Sequence, residues 1–453
     1  MKKAARLIGI LTLTVILTLT SCDRAEIGNT DTTPGETMGS STDATTGEVS
    51  EKDAAKQKLR EVITLSFDNV TAIEDGVLHN TRAASGDWII SRSGSVAMRK
   101  KDVNSNDEPV VICNREGCDH FDITCPAVTY NANDPIVVTS EISGETDIYY
   151  VCRDIEGYMV DGFAGFELGI YETYAIFELD LETCTRRMLY STDSELGGLR
   201  LLGYRDGMLY FTVTDAEAVN DKRVRTTYIL DVRTGELTEA AESADYLIGC
   251  QGDSLWFIRD EVLKHGPLDL SRGEAAAYLN PDSYSGTHGE LMSDFYSDAA
   301  VTDDAVYFLM CSGNKDNDMG GGGMLPVYDL YKLEGDGEKF IASDVKSVRA
   351  VGGDAYFTKS DFHAYGYYGS IPMTSETGGT LYRYNGESGE VETVFEDCGG
   401  DPAMLSYAGE NNIVFYGCYY EGLNSGFSEP TDSGSAYFKY DLESGEFAVL
   451  YYF

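Results

Sequence analysis

Basic residues are scarce: Lys and Arg total 34 against 76 Asp and Glu, leaving a formal charge of -42. A surface of that sign repels phosphate backbones, which excludes a nucleic-acid partner. Histidine is scarcer still, with five in 453 residues. None falls in an H-E-x-x-H motif, and neither a G-x-S-x-G elbow nor a phosphate-binding loop is present, so no catalytic residue is assigned. Apolar runs are short. The clearest, Leu7 to Leu19, falls below the roughly 20 residues that a membrane-spanning helix needs. Core material, by contrast, is plentiful: 42% hydrophobic residues and 31 Tyr exclude a wholly disordered chain.

The apolar run carries an address. Lys2, Lys3 and Arg6 precede its core and Leu19-Thr20-Ser21-Cys22 closes it, the layout of a secretion signal over 1–21. The closing tetrad resembles a bacterial lipobox, in which the cysteine is diacylglycerated and becomes the new N-terminus. Two acyl chains anchor stably where one is marginal. The expectation is therefore lipidation at Cys22 and display at the cell membrane on its extracytoplasmic face; an ordinary secretory signal with an incidental cysteine is the alternative. From Asp23 to about Glu51 the chain is rich in Thr, Ser, Gly, Asp and Glu and has no aromatic residue. Residues 22–55 are thus expected to form a lipidated, flexible tether with a reach of about 30 Å. A short helix over 51–60 is expected to lead into the folded body, 56–453.

Within that body two signals alternate. One is a small or polar turn followed by an apolar, mostly aromatic strand, marked by Trp88, Tyr149, Tyr210, Trp256, Tyr307, Tyr356 and Val414 at spacings of 46 to 61 residues. The other is a hairpin turn, clearest at Asp231-Val232-Arg233-Thr234-Gly235-Glu236 and Asp441-Leu442-Glu443-Ser444-Gly445-Glu446, with weaker versions near Asp107, Cys184, Gly273, Gly337 and Gly389. Gly at such turns supplies the positive φ that tight hairpins need. Interleaved in this way, the signals predict an all-β chain, a β-propeller of seven four-stranded blades, with six or eight also compatible. Two stacked β-sandwiches are the competing architecture. The strand Glu61 to Phe67 stands outside the count.

The most specific chemistry lies at 113–125, where Cys113, Cys118, His120 and Cys125 bring three thiols and an imidazole into 13 residues. Four such ligands satisfy a tetrahedral ion without leaving an open position, which suits structural zinc. A disulfide within the trio, favoured outside the cytosol, and free thiols are the alternatives. The segment follows the last strand of the first blade, where an insertion has no core of its own and needs a staple. The remaining cysteines, Cys152, Cys184, Cys250, Cys311, Cys398 and Cys418, lie in or beside predicted strands and read as small core residues.

On the blade rhythm, the turn at Asp231 to Glu236 and this cysteine cluster, the chain from about 70 to 453 resembles uncharacterised bacterial lipoproteins with propeller bodies, akin to TolB-like propellers and to domains of unknown function. The resemblance implies a similar Cys-rich insertion and no catalytic residue.

Two aromatic segments, with Tyr365, Tyr367 and Tyr368 in one and Tyr419 and Tyr420 in the other, fall between the second and third strands of adjacent blades. They read as loops emerging on one face, where Tyr offers stiff contact area with a polar tip to a glycan or a peptide. Packing on neighbouring blades is the other use for such residues. Asp316 and Asp318 hint at calcium, but the third ligand and terminal Glu of a calcium loop are missing, so calcium is not expected. The function expected is that of a membrane-anchored, non-enzymatic binding or scaffolding propeller. A glycan-degrading enzyme working through paired acids, or a metal or redox sensor, are the alternatives.

Overall fold

In a computed structural model the described residues are 76, 78–79, 88–91, 97–102, 107–120, 125–128, 133–139, 146–155, 171–192, 196–215, 225–279, 298–316, 324–335, 337–368, 371–396, 400–408, 411–421 and 432–452. They belong to one compact unit, 51–453. The signal 1–21, Cys22, the tether 22–55, the helix expected at 51–60 and the strand expected from Glu61 lie outside them.

Every regular element among the described residues is a β-strand, and the strands form seven antiparallel sheets in chain order. The first sheet holds β1 (Trp88–Ser91), β2 (Arg99–Asp102) and β3 (Val110–Val111). The second holds β4 (Asn133–Thr139), β5 (Thr146–Ile155), β6 (Tyr171–Asp180) and β7 (Thr185–Thr192). In the third are β8 (Leu196–Arg205), β9 (Met208–Asp215), β10 (Arg225–Asp231) and β11 (Leu237–Glu239). The fourth comprises β12 (Tyr246–Gln251), β13 (Ser254–Arg259), β14 (Val262–Pro267) and β15 (Glu274–Tyr278). The fifth comprises β16 (Ala299–Val301), β17 (Val306–Asp316), β18 (Met324–Glu334) and β19 (Gly337–Ala342). The sixth has β20 (Val345–Val351), β21 (Asp354–Tyr368), β22 (Ile371–Tyr384) and β23 (Val391–Phe395). The last has β24 (Gly400–Ala408), β25 (Asn412–Glu421), β26 (Asp432–Asp441) and β27 (Phe447–Tyr452).

Each four-stranded sheet is a simple meander, the strand order expected of a propeller blade. First strands of consecutive sheets lie against one another in order, β4 beside β8, β8 beside β12, β12 beside β16, β16 beside β20 and β20 beside β24. The first sheet has three described strands rather than four, and residue 79, just before it, bridges to Tyr204 on β8.

The core is divided into six layers, one between each pair of consecutive sheets. Strand geometry explains the aromatic markers. Successive side chains point to opposite faces, and β9, β13, β17 and β21 are covered on both. Phe211 therefore packs toward the second sheet while Tyr210 packs toward the fourth. Phe257 and Trp256 divide in the same way between the third and fifth sheets, and Phe357 and Tyr356 between the fifth and seventh. Full burial of each such ring contributes about 1.5–3 kcal/mol.

Polar groups pin the layers where the first strands meet. Asp298, buried just before β16, accepts from the Val348 N–H at 3.0 Å, the Ser347 hydroxyl at 3.1 Å and Arg349 Nη1 at 3.0 Å. Ser347 Oγ in turn receives the Leu405 N–H at 3.1 Å, so one carboxylate organises three sheets.

In the third, sixth and seventh sheets one recurring turn joins the third and fourth strands. Asp231, Asn385 and Asp441 each accept through Oδ1 from the N–H groups two and three residues on, at 2.8 to 3.3 Å. Four residues after each stands a glycine in the left-handed region: Gly235 at φ 74°, Gly389 at 74° and Gly445 at 72°.

Candidate metal centre

The Cys/His segment lies between β3 and β4, and its two ends share one backbone partner. The Ile112 N–H donates to the Met98 carbonyl at 3.2 Å, while the Met98 N–H donates to the Ala127 carbonyl at 2.8 Å. Residues 112 and 127 thereby flank residue 98, and the chain between them must fold back on itself. It turns at Gly117, φ 73°, where the Cys118 N–H reaches the Arg115 carbonyl at 3.3 Å, and again at His120, φ 59°.

This path brings together Cys113 Sγ, Cys118 Sγ, a ring nitrogen of His120 and Cys125 Sγ, all within 4.8 Å of one another. His120 Nδ1 stands 3.4 Å from Cys125 Sγ. A zinc tetrahedron with bonds of about 2.3 Å to sulfur and 2.0 Å to nitrogen has edges of about 3.5 to 3.8 Å, so the quartet needs only slight contraction to hold such an ion. The three thiols are not linked to one another. Cys113 and Cys125 are buried, and Cys118 and His120 are partly exposed.

Burial opposes ionisation of the Cys113 thiol. The Arg115 N–H and contacts from Cys125, Cys184 and Cys118 outweigh it and hold that thiol below its ordinary value. Cys125, more deeply desolvated and facing the Cys113 sulfur, is pushed up. A divalent cation held there would displace the thiol protons.

The segment borrows its apolar support from the second sheet. Cys113, Cys125, Ala127 and Val128 share a core layer with Phe177, Leu179 and Cys184, and buried Arg186 Nη1 donates to the Val128 carbonyl at 3.1 Å. Contacts to the β6–β7 turn fasten the first ligand: Arg115 Nη2 donates to the Cys184 carbonyl at 3.0 Å and Asn114 Nδ2 to the Glu182 carbonyl at 3.5 Å.

That turn repeats the recurring one with a single change. Asp180 Oδ1 accepts from the N–H groups of Glu182 and Thr183, and four residues on stands Cys184 at φ 52°, where the other three turns have glycine. A side chain in this region costs about 1–2 kcal/mol. Cys184, assigned from sequence as an ordinary core cysteine, is fully buried and shares a core layer with Cys113. Its sequence signal is the parallel between Asp180-Leu181-Glu182-Thr183-Cys184 and Asp441-Leu442-Glu443-Ser444-Gly445.

The tyrosine segments are not loops. Tyr365, Tyr367 and Tyr368 lie on β21, and Tyr419 and Tyr420 on β25. Pairing simply continues outward: Tyr367 opposes Pro372, Tyr368 opposes Ile371, Tyr419 opposes Gly434 and Tyr420 opposes Ser433. Of the glycines that suggested a loop, Gly366 opposes Met373 at the register step after Ala364, and Gly417 opposes Ala436 within the ladder. Asp316 ends β17 opposite Met324, whereas Asp318 lies outside the described residues.

No protein-family model matches the chain, and no curated protein does. Among solved structures it is similar to the β-propeller domain of the Trilobed protease from Pyrococcus furiosus, at 12% identity over 84% of this chain and 95% of that one, TM-score 0.41. It is also similar to an uncharacterised protein of Listeria monocytogenes, at 11% identity over 84% and 98% of the two chains, TM-score 0.43. TolB from Acinetobacter baumannii shares 15% identity over 67% of this chain and 68% of its own, TM-score 0.30.

Proposed function

We propose that the chain is a lipid-anchored, extracytoplasmic lipoprotein: a signal over 1–21, lipidation at Cys22, a tether through 55, and a seven-bladed β-propeller over 56–453. It acts as a binding or scaffolding module, without catalysis, for a glycan or a peptide. Cys113, Cys118, His120 and Cys125 hold structural zinc. Sequential four-stranded meanders, first strands packed in series and a core laid down between consecutive sheets support the propeller reading. Four protein ligands with no open position suit an ion that holds structure rather than one that activates water.

The observation that carries the binding reading is the length of the β21–β22 hairpin. Its strands run 15 and 14 residues, where the corresponding β13 and β14 run 6 each. In a meander the turns between second and third strands all fall at one end of the blades. The surplus length, carrying Tyr365, Tyr367 and Tyr368 and neighboured by the hairpin with Tyr419 and Tyr420, therefore extends one face of the propeller. Glu178, whose burial raises its carboxyl, is held by Arg187 at 2.5 Å and by the Tyr149 hydroxyl at 3.1 Å, which commits it to the fold rather than to acid chemistry.

The binding experiment is a screen of the purified protein against a glycan array and a peptide library, repeated with Tyr367→Ala and Tyr419→Ala. Each substitution is expected to weaken a hit by about 1 to 3 kcal/mol with little change in melting temperature. A large fall in melting temperature for both variants assigns the tyrosines to the core and contradicts the reading. For the anchor, a fatty-acid analogue is expected to label the wild type and not Cys22→Ser; label retained in the variant contradicts it.

A further inference from the structure

Cys184 occupies the one turn of the recurring set in which a side chain replaces the left-handed glycine, and that side chain points at the metal quartet. Its thiol donates to the Ile112 carbonyl oxygen at 3.8 Å and packs in one buried layer with Cys113 and Cys125. Its own carbonyl accepts from Arg115. Thiol and backbone of one residue thus grip 112–115, the stretch that presents the first ligand, and they do so from a different sheet. At 0% exposure Cys184 is closed to solvent, so its sulfur meets only these groups and the apolar layer around them.

Glycine is the residue this turn geometry favours, as Gly235, Gly389 and Gly445 show. A cysteine kept there against backbone preference, with its thiol on the carbonyl just before Cys113 and its own carbonyl on Arg115 just after, is explained by the residue it holds. We propose that Cys184 is a positioning residue of the metal centre, fixing Cys113 in place and making zinc binding depend on the contact between the insertion and the second sheet. This rests on the reading of the quartet as a zinc site. Groups that support a ligand from behind contribute about 10- to 100-fold in metal affinity when removed.

The test measures zinc affinity of the purified full chain by competition with a fluorescent chelator, together with the unfolding midpoint of the metal-free protein. Cys184→Gly restores the residue the turn prefers, so the metal-free midpoint should stay equal or rise while zinc binding weakens about 10- to 100-fold. Cys184→Ser retains a donor of similar size and should remain within a few-fold of wild type. A purely structural cysteine gives a different result, with zinc affinity unchanged in both variants; that outcome overturns the role of Cys184 alone. Failure of Cys184→Gly to fold where the metal-free wild type folds also overturns it, since the turn then needs cysteine for itself. Wild-type protein that takes up no zinc overturns the zinc site and this inference together.

Discussion

At the residue scale, the turns show how one side chain fixes a hairpin. Asp231 and Asp441 accept two backbone N–H groups each through Oδ1. For Asp231, partial burial works against the charge, but the Arg233 side chain and the turn N–H groups outweigh it and lower the carboxyl's pKa. For Asp441 the Ser444 contacts do so directly. A carboxylate whose folded value lies below its unfolded one, about 3.9, contributes stability that is complete above that value and lost as pH falls through the folded one. Asn385 makes the same turn without a charge. The double variant Asp231→Asn, Asp441→Asn should therefore keep the fold near pH 7 and lose less stability than wild type below about pH 4. Urea midpoints compared across pH check this; parallel acid limbs for the two proteins contradict it.

The ligand quartet was legible in the sequence because all four residues fall within 13 positions. A short loop tied at both ends to Met98 has few ways to spread them. Cys184 was not legible in that way. It lies 59 positions beyond Cys125 in the chain, and only the alignment of its turn with three others, together with the packing of the second sheet on the first, brings it to the site.

At the scale of elements, the aromatic strands were the readable part. Their dipeptides, Tyr210-Phe211, Trp256-Phe257, Tyr307-Phe308 and Tyr356-Phe357, place one ring toward the following sheet and one toward the preceding sheet, and only a doubly covered strand asks for both. The turns between third and fourth strands were equally readable from their Asp or Asn and Gly. The hairpin ends were not. Gly and Tyr together suggested loops at 361–369 and 416–422, yet aromatic residues favour extended pairing, and Gly366, beside a bulge, and Gly417 both take paired positions without ending the ladder. For the proposed binding role the consequence would be a face carried on paired backbone, which holds a contact surface more rigidly than a loop does.

On the scale of the whole molecule, six core layers between seven sheets make the fold a chain of neighbours, each sheet depending on the ones beside it. Among the described residues the first sheet is the smallest. It has three described strands, the shortest of them only two residues, and its layer with the second sheet is built largely from the cysteine segment. On the proposed reading, zinc in that layer would join the first sheet to the rest. X-ray absorption at the zinc edge on the purified full-length protein tests this most directly. The account predicts about one zinc per chain, with three sulfur neighbours at about 2.3 Å and one nitrogen at about 2.0–2.1 Å, the nitrogen lost in His120→Ala. A protein without zinc, carrying a disulfide among Cys113, Cys118 and Cys125, contradicts it.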